Sequence, residues 1–276
     1  MDYCITGGNG FIGKNLDDFL QCKGKSTQII DLVPRGNNST ICMDVAHCLP
    51  LTTHDTLVHL AAETNVRASI QVPCNTILRN IHSTLNCLNR LREGLVKSLI
   101  FTSSASSSKC FSPYLASKAA CESLCTSFAC SYFLNIRVLK LSNVYGPYST
   151  HKESVIPKFI KNCLDNEPLT IYGSGNQSRD FIHVDDVVKA IYNGDQGFIS
   201  SRKLYSIKLV AKMISDISHN LTGYYPRTTY ENSIAGEVIT PSTNSDIVPS
   251  VSLEEGLTTT FKWFMENYVS KSKHLV

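Results

Sequence analysis

A glycine-rich turn between a predicted strand and a predicted helix constrains this chain more than any other feature. The apolar, β-prone run Tyr3-Cys4-Ile5-Thr6 leads into Gly7-Gly8-Asn9-Gly10-Phe11-Ile12-Gly13, and apolar residues at helical spacing follow. Glycine lets a backbone turn tightly and approach a pyrophosphate, whose charge then lies against the amide groups of a helix N-terminus. The turn therefore predicts a dinucleotide-binding unit.

A second predicted strand ends in a carboxylate, at Gln28-Ile29-Ile30-Asp31. An acidic residue at this point binds both hydroxyls of an adenosine ribose and repels a 2′-phosphate, so Asp31 favours NAD over NADP. The alternative is a solvated aspartate in a loop that follows an ordinary turn.

The rest of the chain alternates strand-like and helix-like segments. A strand followed by a small-residue turn is predicted at 56–62, further strands at 98–103 and 136–141, and helices at 75–93 and 114–131. This alternation is typical of an α/β protein with a Rossmann-type, doubly wound parallel sheet. From the change of character near Pro147 we predict an NAD-binding domain at 1–147. A smaller substrate-binding α/β region, partly interleaved with it, is predicted at 148–276.

Composition excludes several classes of function. The chain has 276 residues with 26 basic and 23 acidic side chains and no long basic run, which gives no support to nucleic-acid or membrane-surface binding. No apolar stretch has transmembrane length, and the glycine turn begins at residue 7, so we expect a cytoplasmic protein without a signal peptide. The eleven cysteines contain no C-x-x-C pair, so we expect reduced thiols and no metal site.

A candidate catalytic set follows the strand at 98–103. Tyr114 and Lys118 are four residues apart and share one face of the predicted helix, and Ser104 stands at the end of the preceding strand. An ammonium group near Tyr114 is expected to lower the pKa of its phenol, which would let it act as an acid or base near neutral pH. Lys118 is also suited to bind the nicotinamide ribose, and Ser104 to bind the substrate oxygen. The alternative is a pair of surface residues on a helix.

Six ordered motifs together resemble the extended short-chain dehydrogenase/reductases, in particular the nucleotide-sugar branch of the NAD-dependent epimerase/dehydratase family. The resemblance is dense from residue 3 to about residue 192 and resumes at Val251 to Trp263. The motifs are Gly7 to Gly13, His59-Leu60-Ala61-Ala62-Glu63, Phe101 to Ala105, Ser112 to Lys118, Ser142 to Pro147 and Arg179 to Val187.

The resemblance implies roles for the matched residues. For the cofactor, the pyrophosphate would be contacted by Gly7, Gly10, Phe11 and Ile12, and the adenine would be flanked by Asp44 and Val45. The rest of the cofactor would be lined by Leu60, Ala61, Ala62 and Asn80, and the nicotinamide would lie near Ser103. Those implied for the nucleotide sugar are Asn143, Lys158, Tyr172 and Arg179.

The chain departs from the family pattern at three places. Dehydratases of this group carry an Asp-Glu pair where this chain has Ala105 and Ser106, so dehydration is disfavoured. Only nine residues separate Ser104 from Tyr114, fewer than in most relatives. The second diphosphate arginine of the relatives is replaced by Thr240.

These observations predict an NAD-dependent nucleotide-sugar epimerase that acts at C4 of a UDP-hexose through a 4-keto intermediate. A reductase of nucleotide 4-keto-6-deoxy sugars that uses NAD(P)H is the first alternative, and a non-catalytic NAD-binding protein is the second. The family also implies a homodimer formed through the Tyr114 helix. Small apolar side chains on that helix are compatible with this contact and equally with packing on the sheet, namely Ala116, Ala119, Ala120 and Leu124.

Overall fold

The computed structural model describes residues 2–34, 40–49, 53–232 and 245–268. The chain forms two compact units, one of Met1–Leu141 with Val188–Ile199 and one of Ser142–Val187 with Ser200–Val276. The division falls close to the predicted boundary at residue 147, and each unit draws on two stretches of the chain. The assignment of cofactor to one unit and substrate to the other stays a prediction.

A seven-stranded parallel sheet forms the centre of the first unit. Its strands are β1 (Tyr3–Thr6), β2 (Thr27–Asp31), β3 (Thr40–Cys42), β4 (His54–His59), β5 (Val96–Ser104), β6 (Ile136–Leu141) and β11 (Gly197–Ile199). They lie in the order β11-β6-β5-β4-β1-β2-β3, and each neighbouring pair is parallel. The chain reverses its direction of travel across the sheet at β1 and β4, which is the point where ligands bind in open α/β sheets. This confirms the predicted Rossmann-type fold.

Helices connect these strands. They are α1 (Phe11–Cys22), α2 (Val66–Gln71), α3 (Pro73–Arg92), α4 (Pro113–Tyr132) and α6 (Val184–Asn193), with a 3-10 turn at Ser107–Lys109. The prediction missed the short helix α2, and β4 ends at His59, within the segment 56–62 that is predicted as a strand followed by a turn. A core of buried side chains from the strands and from α3 and α4, including Leu57, Leu88 and Phe101, fixes the sheet.

The second unit contains three pairs of strands and three helices among the described residues. The strands are β7 (Asn143–Tyr145), β8 (Leu169–Tyr172), β9 (Ser178–Arg179), β10 (Phe181–His183), β12 (Tyr205–Ser206) and β13 (Thr228–Glu231), and the helices are α5 (Val155–Leu164), α7 (Ile207–Thr222) and α8 (Leu253–Asn267). Pairs β7–β10 and β8–β13 are parallel, and β9–β12 is antiparallel. Phe159, Phe261 and Phe264 are fully buried in its core.

None of the described helices combines the length and the apolar character that a bilayer crossing requires.

Candidate active site

The glycine turn has no room for side chains. Gly7 has a φ of +71°, and its N–H donates to the Ile30 carbonyl at 2.8 Å. A Cβ on Gly7 would lie 2.7 Å from the Ala61 nitrogen, and one on Gly13 would lie 2.4 Å from the Gly7 oxygen. Because α1 begins directly after Gly10, its free N–H groups lie at this turn, as a pyrophosphate site requires. The positions of Gly7, Gly10, Phe11 and Ile12 therefore fit their predicted role.

Asp31 lies beside this turn at the end of β2. Its carboxylate accepts the Asn9 N–H at 2.9 Å through one oxygen and the Val33 N–H at 3.1 Å through the other. Asn9, which sequence reasoning missed, also donates its side-chain amide to Thr40 Oγ1 at 3.2 Å. The half-exposed carboxylate is thus fixed in place, and its remaining lone pairs are compatible with the predicted ribose contact.

Side chains of α3 hold the segment Asp44–Leu49 by its backbone. Asn86 donates to the carbonyls of Val45 (2.7 Å) and Ala46 (3.2 Å), and Arg90 donates twice to the Leu49 carbonyl, at 2.7 and 3.0 Å. Arg79 pairs with the Asp44 carboxylate at 3.0 Å. The Val45 side chain is buried in the core, so only its backbone is available to flank an adenine.

Asn80 anchors the loop after β4, which contains Leu60, Ala61 and Ala62. Its side-chain oxygen accepts the Glu63 N–H at 2.8 Å, and its side-chain nitrogen donates to the Glu63 carbonyl and to Ser117 Oγ. Asn80 is 2% exposed. Since three hydrogen bonds to the protein occupy this amide, its effect on a cofactor would pass through the loop that it holds.

Ser104 is the last residue of β5. Its Oγ accepts the Ser106 N–H at 3.2 Å, which curls the chain into the 3-10 turn that precedes α4. The neighbouring Ser103 donates its hydroxyl to Glu122 Oε1 at 2.5 Å. Its hydroxyl proton is therefore engaged, and a side-chain contact of Ser103 with a nicotinamide would use the hydroxyl oxygen as an acceptor.

Tyr114 lies in the first turn of α4. Ser112 caps this helix by accepting the Leu115 N–H at 3.2 Å, and Pro113 occupies the first helical position. Desolvation by burial raises the pKa of Tyr114 to about 12. The expectation that Lys118 lowers this pKa is wrong for the protein as described, because burial of the phenol is the effect that acts on it.

Lys118 is buried and binds the end of β5. Its Nζ donates to the Thr102 carbonyl at 2.9 Å and lies 4.7 Å from the centre of the Phe101 ring. Burial lowers the pKa of Lys118 to about 8. The ammonium group is therefore held at the carboxyl end of the strand that carries Ser104, within the same unit as the glycine turn.

The predicted substrate residues lie in the second unit. Asn143 donates both its backbone N–H and its side-chain amide to the Asp180 carbonyl, at 3.1 and 2.8 Å. Lys158 Nζ lies 5.3 Å from the centre of the Tyr172 ring, so these two residues are brought together. Arg179 is buried and donates to the Ser178 carbonyl at 3.0 Å. Thr240 lies outside the described residues.

Sequence reasoning also missed the hydrogen-bonded groups that surround the candidate set. His59 bonds Thr6 Oγ1 at 2.7 Å and Thr84 Oγ1 at 3.3 Å. Burial, assisted by the charge of Lys118, lowers the pKa of His59 to about 3, so the ring is neutral. Glu122 follows Lys118 by four residues on the same face of α4, and this spacing is the one signal that would have pointed to it.

Comparisons with known proteins agree on one family. The model of the NAD dependent epimerase/dehydratase family matches residues 3–193. A UDP-glucuronate 4-epimerase from Thermodesulfobacterium geofontis is 28% identical over 321 aligned positions, which cover 96% of each chain. A UDP-N-acetyl-alpha-D-glucosaminuronate decarboxylase from Bacillus cytotoxicus is also 28% identical, and the match covers 95% of this chain and 97% of the decarboxylase.

The fold matches a solved structure over nearly the whole chain. The crystal structure of a UDP-glucose 4-epimerase from Thermotoga maritima, with UDP-glucose, superposes with a TM-score of 0.87. The match covers 98% of this chain and all of that one, at 25% identity.

Proposed function

Because this chain belongs to the NAD-dependent epimerase/dehydratase family and is an NAD-dependent enzyme of that group, we propose that it epimerises C4 of a UDP-hexose. One observation carries the proposal: Ser104, Tyr114 and Lys118 all lie on β5 and α4, and Lys118 binds the carbonyl of Thr102, two residues before Ser104. The names of the epimerases from Thermodesulfobacterium geofontis and Thermotoga maritima support a UDP-sugar substrate and a reaction at C4.

The residues of the first unit fit NAD. A Cβ at Gly7 or Gly13 would collide with backbone atoms, so the turn leaves a bare backbone beside the N-terminus of α1 for the pyrophosphate. Asp31 would bind the adenosine ribose, and the segment from Asp44 would flank the adenine. Lys118 would bind the nicotinamide ribose. When bound, NAD supplies the hydride acceptor and brings a positive charge to this part of the unit.

Proton transfer at the C4 hydroxyl is proposed for Tyr114. As a phenol with a pKa of about 12, Tyr114 holds its proton at neutral pH, so it requires a nearby positive charge before it can accept the hydroxyl proton. The oxidised cofactor is the proposed source of that charge, because burial and not Lys118 determines the pKa of Tyr114 in the protein as described. Ser104 would donate its hydroxyl to the same sugar oxygen and hold it while its charge changes.

The nucleotide is proposed to bind residues of the second unit. Arg179 presents a guanidinium, which can pair with a diphosphate through two hydrogen bonds. Lys158 and Tyr172 contact each other and offer a cation and an aromatic ring, and Asn143 offers an amide for the sugar or the diphosphate. A 4-epimerase must then let the 4-keto sugar turn over and accept hydride on its other face.

A panel of sugars tests this proposal. The purified protein is incubated with NAD and with UDP-glucose, UDP-glucuronate or UDP-N-acetylglucosamine, and the sugars are separated by chromatography. Interconversion of C4 epimers without net change of NADH is the expected result, and the Tyr114→Phe variant serves as the control. In a second incubation with NADH and a UDP-4-keto-6-deoxy sugar, net consumption of NADH would instead assign a reductase. Bound NAD without turnover of any sugar in either incubation would assign a non-catalytic protein.

We further propose a homodimer formed through α3 and α4. Ser123, Thr126 and Ser127 lie on the outer side of α4, while Leu124 packs against the core of its own unit and is less available than the sequence suggested. Sedimentation velocity would distinguish a dimer from a monomer. A cytoplasmic location remains a prediction.

A further inference from the structure

One carboxylate holds the chain on both sides of Ser104. Glu122 Oε1 accepts the hydroxyl of Ser103 and the hydroxyl of Ser107, each at 2.5 Å. Glu122 Oε2 pairs with Lys140 Nζ at 2.7 Å, so both carboxylate oxygens are engaged. The Glu122 side chain is 15% exposed, which strengthens these charge-assisted hydrogen bonds.

The partners of Glu122 come from separate elements of the first unit. Ser103 belongs to β5, Ser107 begins the 3-10 turn, and Lys140 belongs to β6. Ser103 and Ser107 are 5% and 1% exposed, so neither hydroxyl has bulk water as an alternative partner. Ser104, the last residue of β5, lies between these two serines in the chain, so the two hydrogen bonds fix its position.

We propose that Glu122 is a positioning residue that holds Ser104 in register with the face of α4 that carries Tyr114 and Lys118. This inference rests on the proposed function, because it assigns Ser104 and Tyr114 to one reaction. Glu122 stands one helical turn beyond Lys118, and Lys118 stands one turn beyond Tyr114, so a single helix face connects the carboxylate to both groups. In the short connection of nine residues between Ser104 and Tyr114, the two serine bonds replace the support of a longer loop.

The charge of Glu122 also acts on Lys118. The titratable groups that face Lys118 are Glu122, Cys121 and Cys125 from α4 and His59 from β4. Burial lowers the pKa of Lys118 to about 8, and Cys121, Cys125 and, to the smallest extent, Glu122 oppose that shift. His59 is neutral and adds no charge, so Glu122 helps to keep the ammonium group protonated.

Kinetics of variants at Glu122, Ser103 and Ser107 test the positioning role. Glu122→Ala is expected to lower kcat by roughly ten- to a hundredfold while KM and NAD binding stay close to those of the wild type, because displacing a reacting group by about 1 Å has this effect. Glu122→Gln keeps an acceptor for both serines and is expected to retain more activity. The double variant Ser103→Ala/Ser107→Ala should show the same loss of kcat. Adding Glu122→Ala to this double variant should change kcat little further. Asp216→Asn, which breaks an exposed pair with Lys212 of 2.8 Å on α7, is the control with unchanged kcat.

The outcomes separate positioning from general stability. An unchanged kcat in Glu122→Ala would overturn the proposal, and so would a loss of kcat that only follows the loss of folded protein seen by circular dichroism. If Glu122→Ala does not fold, Glu122→Gln and the double serine variant decide the question by the same criteria.

A measurement without turnover distinguishes failure of this inference from failure of the proposed function. The pKa of Lys118 is read by NMR of protein with 13C-labelled lysines, with Lys118→Met to assign the signal. Hydrogen exchange reports the amides of 104–110. If the wild type converts no sugar, the proposed function fails. A lower Lys118 pKa in Glu122→Gln with faster exchange at 104–110 would still support the positioning role, and unchanged values would overturn it.

Discussion

Replacing Gly13 by alanine should destabilise the glycine turn, because the added Cβ would overlap backbone atoms of the turn. The added Cβ would lie 2.4 Å from the Gly7 oxygen, 2.5 Å from Gly8 Cα and 2.7 Å from the Gly8 carbonyl carbon. Each of these is backbone, so no side chain can rotate away. The nearest separation is about 1 Å short of ordinary van der Waals contact. Leu16 and Leu20 are fully buried, so α1 cannot move away from the turn without disrupting the packing of these side chains.

The expected change in the free energy of unfolding of Gly13→Ala follows from two opposed effects. Alanine is favoured over glycine inside a helix by about 1 kcal/mol, which would stabilise the variant. Overpacking against a rigid neighbour costs about 3 kcal/mol at the upper end of its usual range, which fits three simultaneous backbone contacts. The expected net loss in free energy of unfolding is about 2 kcal/mol, or roughly 4–8 °C in Tm for a protein of this size.

The matched variant is Gly10→Ala. A Cβ on Gly10 meets only the Gly7 oxygen, at 3.2 Å, and the φ of Gly10 is −73°, which alanine adopts freely. Gly10→Ala should therefore keep nearly the wild-type Tm but bind NAD more weakly, because its Cβ occupies the path of the pyrophosphate. Thermal melts with and without NAD, together with calorimetric titration of NAD, measure both effects. A Gly13→Ala variant that melts and binds NAD like the wild type would refute the reasoning.

Three further changes test other parts of the site. Tyr114→Phe should lower turnover by about a hundredfold or more while NAD binding is kept, as measured by the sugar assay and by titration. Asp31→Asn should lower the preference for NAD over NADP by roughly tenfold, measured as the ratio of Kd values, because the charge that repels a 2′-phosphate is removed. His59 has a pKa of about 3 when folded and about 6.5 when unfolded, so the unfolded chain binds more protons between these values. The free energy of unfolding therefore decreases as the pH is lowered through that window, by up to about 5 kcal/mol. His59→Gln should make urea-derived stability fall less steeply between pH 6.5 and 4, and an unchanged slope would contradict the assignment.

Local patterns predicted the elements of the first unit because each was strong over a short stretch. The run Tyr3–Thr6 and the glycines that follow form a strand and a turn as expected, and Asp31 ends β2 beside that turn. Buried parallel strands are continuous apolar runs, which makes them recognisable without neighbours. The short helix α2 has only six residues and no clear periodicity, and it was missed.

Properties that depend on distant residues were the ones that the sequence did not reveal. The pKa of Tyr114 was expected to fall and instead rises, because burial of a side chain depends on the whole fold and not on the spacing to Lys118. The partners of Glu122 lie up to 19 positions away in the chain, so its hydrogen bonds could not be read from a motif. Asn80 was predicted to line the cofactor, and its three bonds to neighbouring segments became visible only in the structure.

The hydrogen bonds from α3 to the segment Asp44–Leu49, which is proposed to flank the adenine, bear on how this enzyme can evolve. Asn86 and Arg90 bind this segment through hydrogen bonds to the carbonyl oxygens of Val45, Ala46 and Leu49, and every amino acid has such an oxygen. Substitutions at the exposed positions His47 and Cys48 therefore leave the segment anchored in the same place. Side chains that face a cofactor can vary there independently of the support beneath them, so a lineage could retune its nucleotide preference by single mutations without first losing a folded protein.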